Sequence, residues 1–108
     1  MNPAEPTCGC LNALLERQGF RELAAAQLFS SGVALAPTLD EKQMLARHCL
    51  DELDHFELVS TEFDLHGGGE LLNRVSPAVA ALPSPGSWLE MVTVGILFDR
   101  AVYFQLRA

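Results

Sequence analysis

The sequence predicts an all-α fold for this chain of 108 residues. Apolar residues recur every three or four positions in three segments, as they do along one face of an α-helix. Two segments open with Ser or Thr followed three residues later by Glu, the capping-box pattern of a helix N-terminus. No stretch alternates with period two, so we expect essentially no sheet. We predict one domain over residues 1–108, with residues 1–6 disordered.

Composition excludes several classes of function. The formal net charge is −7, and the 7 Lys and Arg residues are scattered, which argues against nucleic acid as a partner. No run of about 20 apolar residues is present, so we expect no membrane-spanning segment. The first residues lack the basic and apolar regions of a signal peptide, and we expect a cytoplasmic protein. Three cysteines without such a signal do not indicate a disulfide framework.

The first helix is predicted from near Cys8 to about Leu35. It should end there because Ala36, the residue before Pro37, avoids the helical region. A glutamate interrupts its otherwise apolar face, and Gly19 marks a kink or the close approach of another backbone. The residues of this face are Leu11, Leu15, Gly19, Glu22, Ala26, Phe29 and Val33.

The second helix is predicted from its N-cap at Thr38 to about Leu65, where a run of three glycines supplies a left-handed cap. Glu52 and His55 are three residues apart and share one face of this helix, so we expect both to point inward. The apolar residues beside them are Leu45, Cys49, Leu53, Phe56 and Val59.

The short connection between these two helices predicts an antiparallel hairpin. Glu22 and Glu52 lie about equally far from the turn, so they can meet across the interface. A short helix is expected from Glu70 to Val75, followed by an extended crossing segment over 76–86, which holds three prolines. Ser87 then caps a third long helix that runs to the C-terminus. The stripe of this last helix is Val92, Gly95, Asp99, Val102 and Leu106.

Carboxylates in apolar stripes indicate a metal site, since a buried carboxylate normally pairs or binds a metal ion. Each candidate also has an ordinary interpretation. Glu22 can pair with Arg17 or Arg21, and Glu52 with its histidine can lie on an exposed, charged face. Asp99 can bond Arg100 or a neighbouring helix, Glu90 is a cap acceptor, and His48 is either a neighbour of the site or solvated.

The segment from Glu22 to His55 resembles the catalytic A subunit of the phenylacetyl-CoA epoxidase family of bacterial phenylacetate catabolism. The third long helix resembles that family's tryptophan-led helix with an inward aspartate. The matching residues are Glu22, Ala36-Pro37-Thr38-Leu39, Lys42, Leu45-Ala46, Asp51-Glu52, His55, Trp88, Glu90, Gly95, Leu97, Asp99 and Ala101. The resemblance implies a ferritin-like helical bundle.

The resemblance also implies a di-iron carboxylate site, with Glu22, Glu52, His55 and Asp99 as metal ligands. A complete site would hold two iron ions, or manganese, with O2 as co-substrate, and would act as a monooxygenase on an aromatic CoA thioester. A reductase and a second ferritin-like subunit would be partners. The alternatives are a non-catalytic ferritin-like partner subunit and a dimeric iron-binding or ferroxidase module.

One departure from the family bears on the completeness of this site. The family's fourth helix carries a second Glu-x-x-His, which this chain does not contain, so we expect an incomplete bundle of hairpin, crossover and third helix. Two copies of the chain, each giving Glu22, Glu52 and His55, would supply four acids and two histidines. We therefore expect either a fragment of a longer protein or a short version that another chain completes, for example in a homo-oligomer.

Overall fold

The computed structural model describes residues 9–95, which form helices connected by short loops. Helix α1 spans Gly9–Leu35, α2 spans Leu39–Leu65 and α3 spans Leu71–Ala80. A further helix, α4, begins at residue 88 and continues to residue 95, the last described position. The predicted all-α class is confirmed.

Helices α1 and α2 form the predicted antiparallel hairpin, and its turn is fixed by local hydrogen bonds. Thr38 is the N-cap of α2, and its hydroxyl oxygen accepts from the Glu41 backbone N–H at 3.2 Å. The same hydroxyl donates to Glu41 Oε1 at 2.8 Å. Lys42 Nζ donates to the Val33 carbonyl at 2.8 Å, near the C-terminus of α1. Both helix ends at the turn thus have partners for backbone groups that a helix leaves unpaired.

The glycine run ends α2 as predicted. Gly67 has φ of +80°, in the left-handed region that favours glycine. Its N–H donates to the Asp64 carbonyl at 3.0 Å, and the Gly68 N–H donates to the Phe63 carbonyl at 2.8 Å. These two bonds form a Schellman motif with His66 as the C-cap.

Helix α3 is longer than predicted, and the extended segment is correspondingly shorter. The prediction of extended chain from residue 76 is wrong for 76–80, since α3 continues to Ala80 with Pro77 inside it. Leu71, Val75 and Val79 recur every fourth residue and are at most 3% exposed. Burial of this face outweighs the local penalty of a proline within a helix, which is about 3 kcal/mol.

Two apolar clusters lie along the hairpin. The turn-side cluster comprises Ala25, Phe29, Ala36, Leu45 and Met91, with Trp88 packed against it. The distal cluster comprises Phe56, Phe63, Leu71 and Val75, with Leu15, Phe20, Leu23 and Val59 packed against it. Glu52 on α2 falls between the two clusters in sequence, whereas Glu22 on α1 lies between Phe20 and Leu23, which pack against the distal cluster.

Three residues assigned to apolar faces are more exposed than expected, and one of them is Leu11 of α1, at 37%. Leu53 is 41% exposed, because it lies at the edge of the face that α2 turns toward α1. Val92 is 37% exposed, whereas its neighbour Met91 is only 2% exposed and contacts the turn-side cluster. The α4 face therefore starts one residue earlier than predicted. Within residues 9–95, no helix is both long and apolar enough to cross a membrane.

Candidate metal centre

The structure brings Glu22, Glu52 and His55 together, although they come from two helices. Each offers one ligand atom, and these atoms all lie within 4.8 Å of one another. His55 Nδ1 is 3.7 Å from Glu22 Oε2 and 3.9 Å from Glu52 Oε2. These separations exceed a hydrogen bond. When two ligand atoms each lie about 2.1 Å from one metal ion, they are roughly 3 to 4 Å from each other, and the observed separations are close to this range.

Glu22 is the most enclosed member of the cluster. Its side chain is 10% exposed, against 28% for Glu52 and 58% for His55. It is the one buried charged residue among the described residues. One turn away on the same helix, Gln18 Nε2 donates to Glu22 Oε1 at 2.7 Å. The alternative interpretation, a pairing with Arg17 or Arg21, is not what fixes this oxygen.

The second oxygen of Glu22 is the atom that points to a ligand. Glu22 Oε2 is buried and has no hydrogen-bond partner among residues 9–95. A buried carboxylate oxygen without a partner is costly unless a cation neutralises it. Because two carboxylates and an imidazole suit iron or manganese, the residues present fit such an ion.

The prediction that both Glu52 and His55 point inward is wrong for His55, whose side chain is 58% exposed. Residues three apart on a helix differ by about 60° around its axis. Glu52 lies at the edge of the buried face, and His55 lies a further step toward solvent. The cluster is therefore closed on the α1 side and open on the His55 side.

The remaining candidates have separate positions. Glu90 Oε2 accepts from the Gly86 N–H at 2.9 Å, and the Glu90 N–H donates to Ser87 Oγ, so Glu90 belongs to the N-terminus of α4. His48 is exposed, and its ring centroid is 5.4 Å from that of Phe29. Asp99 lies outside the described residues.

A second carboxylate–imidazole pair, at the C-terminal end of α2, provides a comparison. His66 Nε2 lies 3.6 Å from Glu62 Oε2, and the Glu62 side chain is 59% exposed. This pair joins neighbouring turns of one helix and does not form part of the three-residue cluster. The contribution of Glu22 from a facing helix is what distinguishes the candidate centre.

Sequence reasoning missed Gln18 as a part of this site. The signal was present, because side chains four residues apart on a helix are neighbours and Gln commonly hydrogen-bonds an acidic side chain there.

Comparison with known proteins assigns the chain to a family. The model of the ferritin-like domain of actinomycetes matches residues 10–100. The chain belongs to this ferritin-like family. The match covers both helices that supply the cluster. No curated protein and no solved structure matches the chain.

The family assignment confirms the ferritin-like fold expected from the resemblance. Ferritin-like carboxylate proteins build metal sites from acids and histidines that project inward from facing helices. Glu22 and Glu52 have this arrangement, and the Glu-Glu-His cluster is compatible with iron binding.

Proposed function

We propose that this ferritin-like chain binds iron through Glu22, Glu52 and His55 and acts as part of an O2-dependent di-iron carboxylate protein. The buried Oε2 of Glu22, which accepts no hydrogen bond within residues 9–95, carries this proposal. It faces an imidazole nitrogen at 3.7 Å, and Glu52 adds a second carboxylate to the same nitrogen at 3.9 Å. A cation at this point would satisfy all three groups.

Each of these residues has its own role in such a site. Glu22 holds the ion on the enclosed side, while Glu52 and His55 close it from α2. Phe29 and Phe56, which are 7% and 8% exposed, belong to the turn-side and distal apolar clusters, and we propose them as apolar walls of the site. When bound, iron supplies open coordination positions for O2 and electrons for its reduction.

The resemblance to the phenylacetyl-CoA epoxidase A subunit supports a more specific activity. We propose monooxygenation of an aromatic CoA thioester, with electrons from a reductase and Asp99 as a further metal ligand. Manganese is an alternative metal for the same donor set. Iron-loaded, chemically reduced protein incubated with phenylacetyl-CoA and O2 should yield a product heavier by one oxygen atom, detected by mass spectrometry.

The open side of the centre favours a second candidate, a dimeric iron-binding or ferroxidase module. The His55 side chain is 58% exposed, so the ligands of a second copy can approach from that side. Sedimentation of the protein with and without iron distinguishes the candidates, because this reading requires a dimer that depends on iron. A metal-free protein that pairs with another ferritin-like subunit would instead indicate the non-catalytic partner role.

Anaerobic titration with Fe(II) tests the metal site itself. The native chain should bind iron stoichiometrically, and Glu22→Gln should abolish tight binding because a neutral amide replaces the enclosed carboxylate. Glu62→Gln is the matched control, since Glu62 of α2 also lies near a histidine, the C-cap His66, but outside the cluster. Equal binding by both variants would place the metal elsewhere and contradict the proposal.

A further inference from the structure

One hydrogen bond makes the two oxygens of Glu22 unequal. Gln18 Nε2 donates to Glu22 Oε1 at 2.7 Å, a short bond between partly buried side chains one turn apart. Glu22 Oε2 is buried without a hydrogen-bond partner among the described residues and lies 3.7 Å from His55 Nδ1. One oxygen is thus held by α1, and the other faces α2.

The chemistry of the amide decides what Gln18 can do. Its NH2 group donates hydrogen bonds and has no lone pair to offer a cation. The bond to Oε1 therefore orients Glu22 without adding a ligand. The bond also restricts the Glu22 side chain, which has three rotatable bonds, before the ion binds. Less conformational entropy is then lost on binding.

We propose that Gln18 is a positioning residue that presents Glu22 to the metal through Oε2 alone. This inference rests on the proposed metal site. Groups that hydrogen-bond a metal ligand orient it, and their loss typically weakens metal affinity about 10- to 100-fold. Without Gln18, both oxygens of Glu22 are free to turn toward the ion, and the coordination changes as well as the affinity.

Titration of the full chain with Co(II) tests this role, because the visible absorption of Co(II) reports its ligands. Gln18→Met keeps the length of the side chain and removes the donor. We expect about tenfold weaker Co(II) binding and a visible band altered in position and intensity. Gln18→Ala should give the same two changes, which guards against an effect of the methionine itself.

Gln27 provides the matched control. It is also a partly buried glutamine of α1 with a hydrogen bond, from Nε2 to the Val79 carbonyl at 3.0 Å, but it is not part of the metal cluster. Gln27→Met should leave the Co(II) affinity and spectrum at native values. Circular dichroism of the metal-free variants shows whether each is folded.

The outcomes separate this inference from the proposal beneath it. Failure of the native chain to bind Co(II) would overturn the metal site, and the role of Gln18 with it. Native binding together with unchanged affinity and spectrum in both Gln18 variants would overturn only the positioning role. Weaker binding with an unchanged spectrum would also overturn it, since that result indicates altered stability rather than altered ligation.

Discussion

Glu22 illustrates how a single residue can oppose stability and support binding. Its carboxylate is buried beside a second carboxylate, and one of its oxygens accepts no hydrogen bond among residues 9–95. Helix packing alone gives no reason for an anion here, because an apolar or neutral residue would satisfy the position better. A site that binds a cation accepts this penalty in its metal-free state.

Glu22→Gln should therefore have opposite effects on stability and on binding. In the presence of EDTA, we expect the free energy of unfolding to rise by about 1 kcal/mol, because a neutral amide is easier to bury. Metal affinity should fall sharply in the same variant. Urea denaturation monitored by circular dichroism measures the first effect; a loss of stability in EDTA would show that the carboxylate has structural partners.

Cys49 gives a prediction that depends on pH. Burial raises the pKa of the Cys49 thiol, so at a given pH it carries less of the reactive thiolate than an ordinary cysteine. We expect iodoacetamide to label Cys49 more slowly than the exposed Cys10 near pH 8, with the labelling rate of Cys49 still rising at more alkaline pH. Peptide-resolved mass spectrometry measures both rates, and faster labelling of Cys49 would contradict the burial argument.

At the scale of single residues, the sequence predicted pairing better than exposure. The meeting of Glu22 with Glu52 followed from their equal distances to the turn, which the hairpin enforces. The exposure of His55 did not follow from the sequence. A difference of about 60° around the helix axis is enough to make a side chain exposed instead of buried, and the sequence does not fix the rotation of α2 to that accuracy. Gln18 did not follow either, because an uncharged amide is not part of the carboxylate–imidazole pattern that indicates a metal site.

At the scale of elements, the N-cap of α2 is a device with a measurable contribution. The Thr38 hydroxyl accepts a hydrogen bond from the Glu41 N–H at 3.2 Å and donates one to Glu41 Oε1 at 2.8 Å. Thr38→Ala should lower the free energy of unfolding by about 1 kcal/mol, whereas Thr38→Ser should lose far less, because serine caps as well as threonine does. Urea denaturation of both variants checks the difference, and an equal loss in both would exclude capping as its cause.

Gly19 of α1 faces the side chain of Leu71 on α3. A Cβ at this position would lie 2.5 Å from Leu71 Cδ2, and Leu71 is fully buried. The expected close approach is thus made by a side chain, and α1 continues through it. Gly19→Ala gains helix propensity of about 1 kcal/mol, but overpacking costs about 1 to 3 kcal/mol, so we expect a net loss of stability of up to about 2 kcal/mol.

A second substitution checks that explanation of Gly19. Leu71→Val removes bulk at the point of contact, so it should destabilise the native chain but be less harmful, or even favourable, in the Gly19→Ala background. A double-mutant cycle from urea denaturation gives this coupling. Strict additivity of the two changes would show that Leu71 does not cause the effect.

Helix α3 shows where local rules fail. Proline density predicted extended chain from residue 76, whereas the burial of Val75 and Val79 carries the helix past Pro77 to Ala80. The spacing of these valines from Leu71 was visible in the sequence, but whether it outweighed proline depended on the packing partners that the distal cluster supplies.

At the scale of the whole molecule, the predicted centre joins α1 to α2, so metal binding should stabilise the entire fold. An ion that binds only the folded chain adds about 2.7 kcal/mol at a free concentration 100 times its Kd. For a domain of this size, that gain corresponds to a rise in Tm on the order of 10 °C.

Mn(II) is a suitable probe because it fits the same ligands and does not react readily with O2. Differential scanning calorimetry should show the rise in the native chain and in Glu62→Gln, but not in Glu22→Gln. A rise of equal size in Glu22→Gln would mean that Mn(II) stabilises the chain by binding exposed acidic groups, and the enclosed centre between α1 and α2 would then have no part in it.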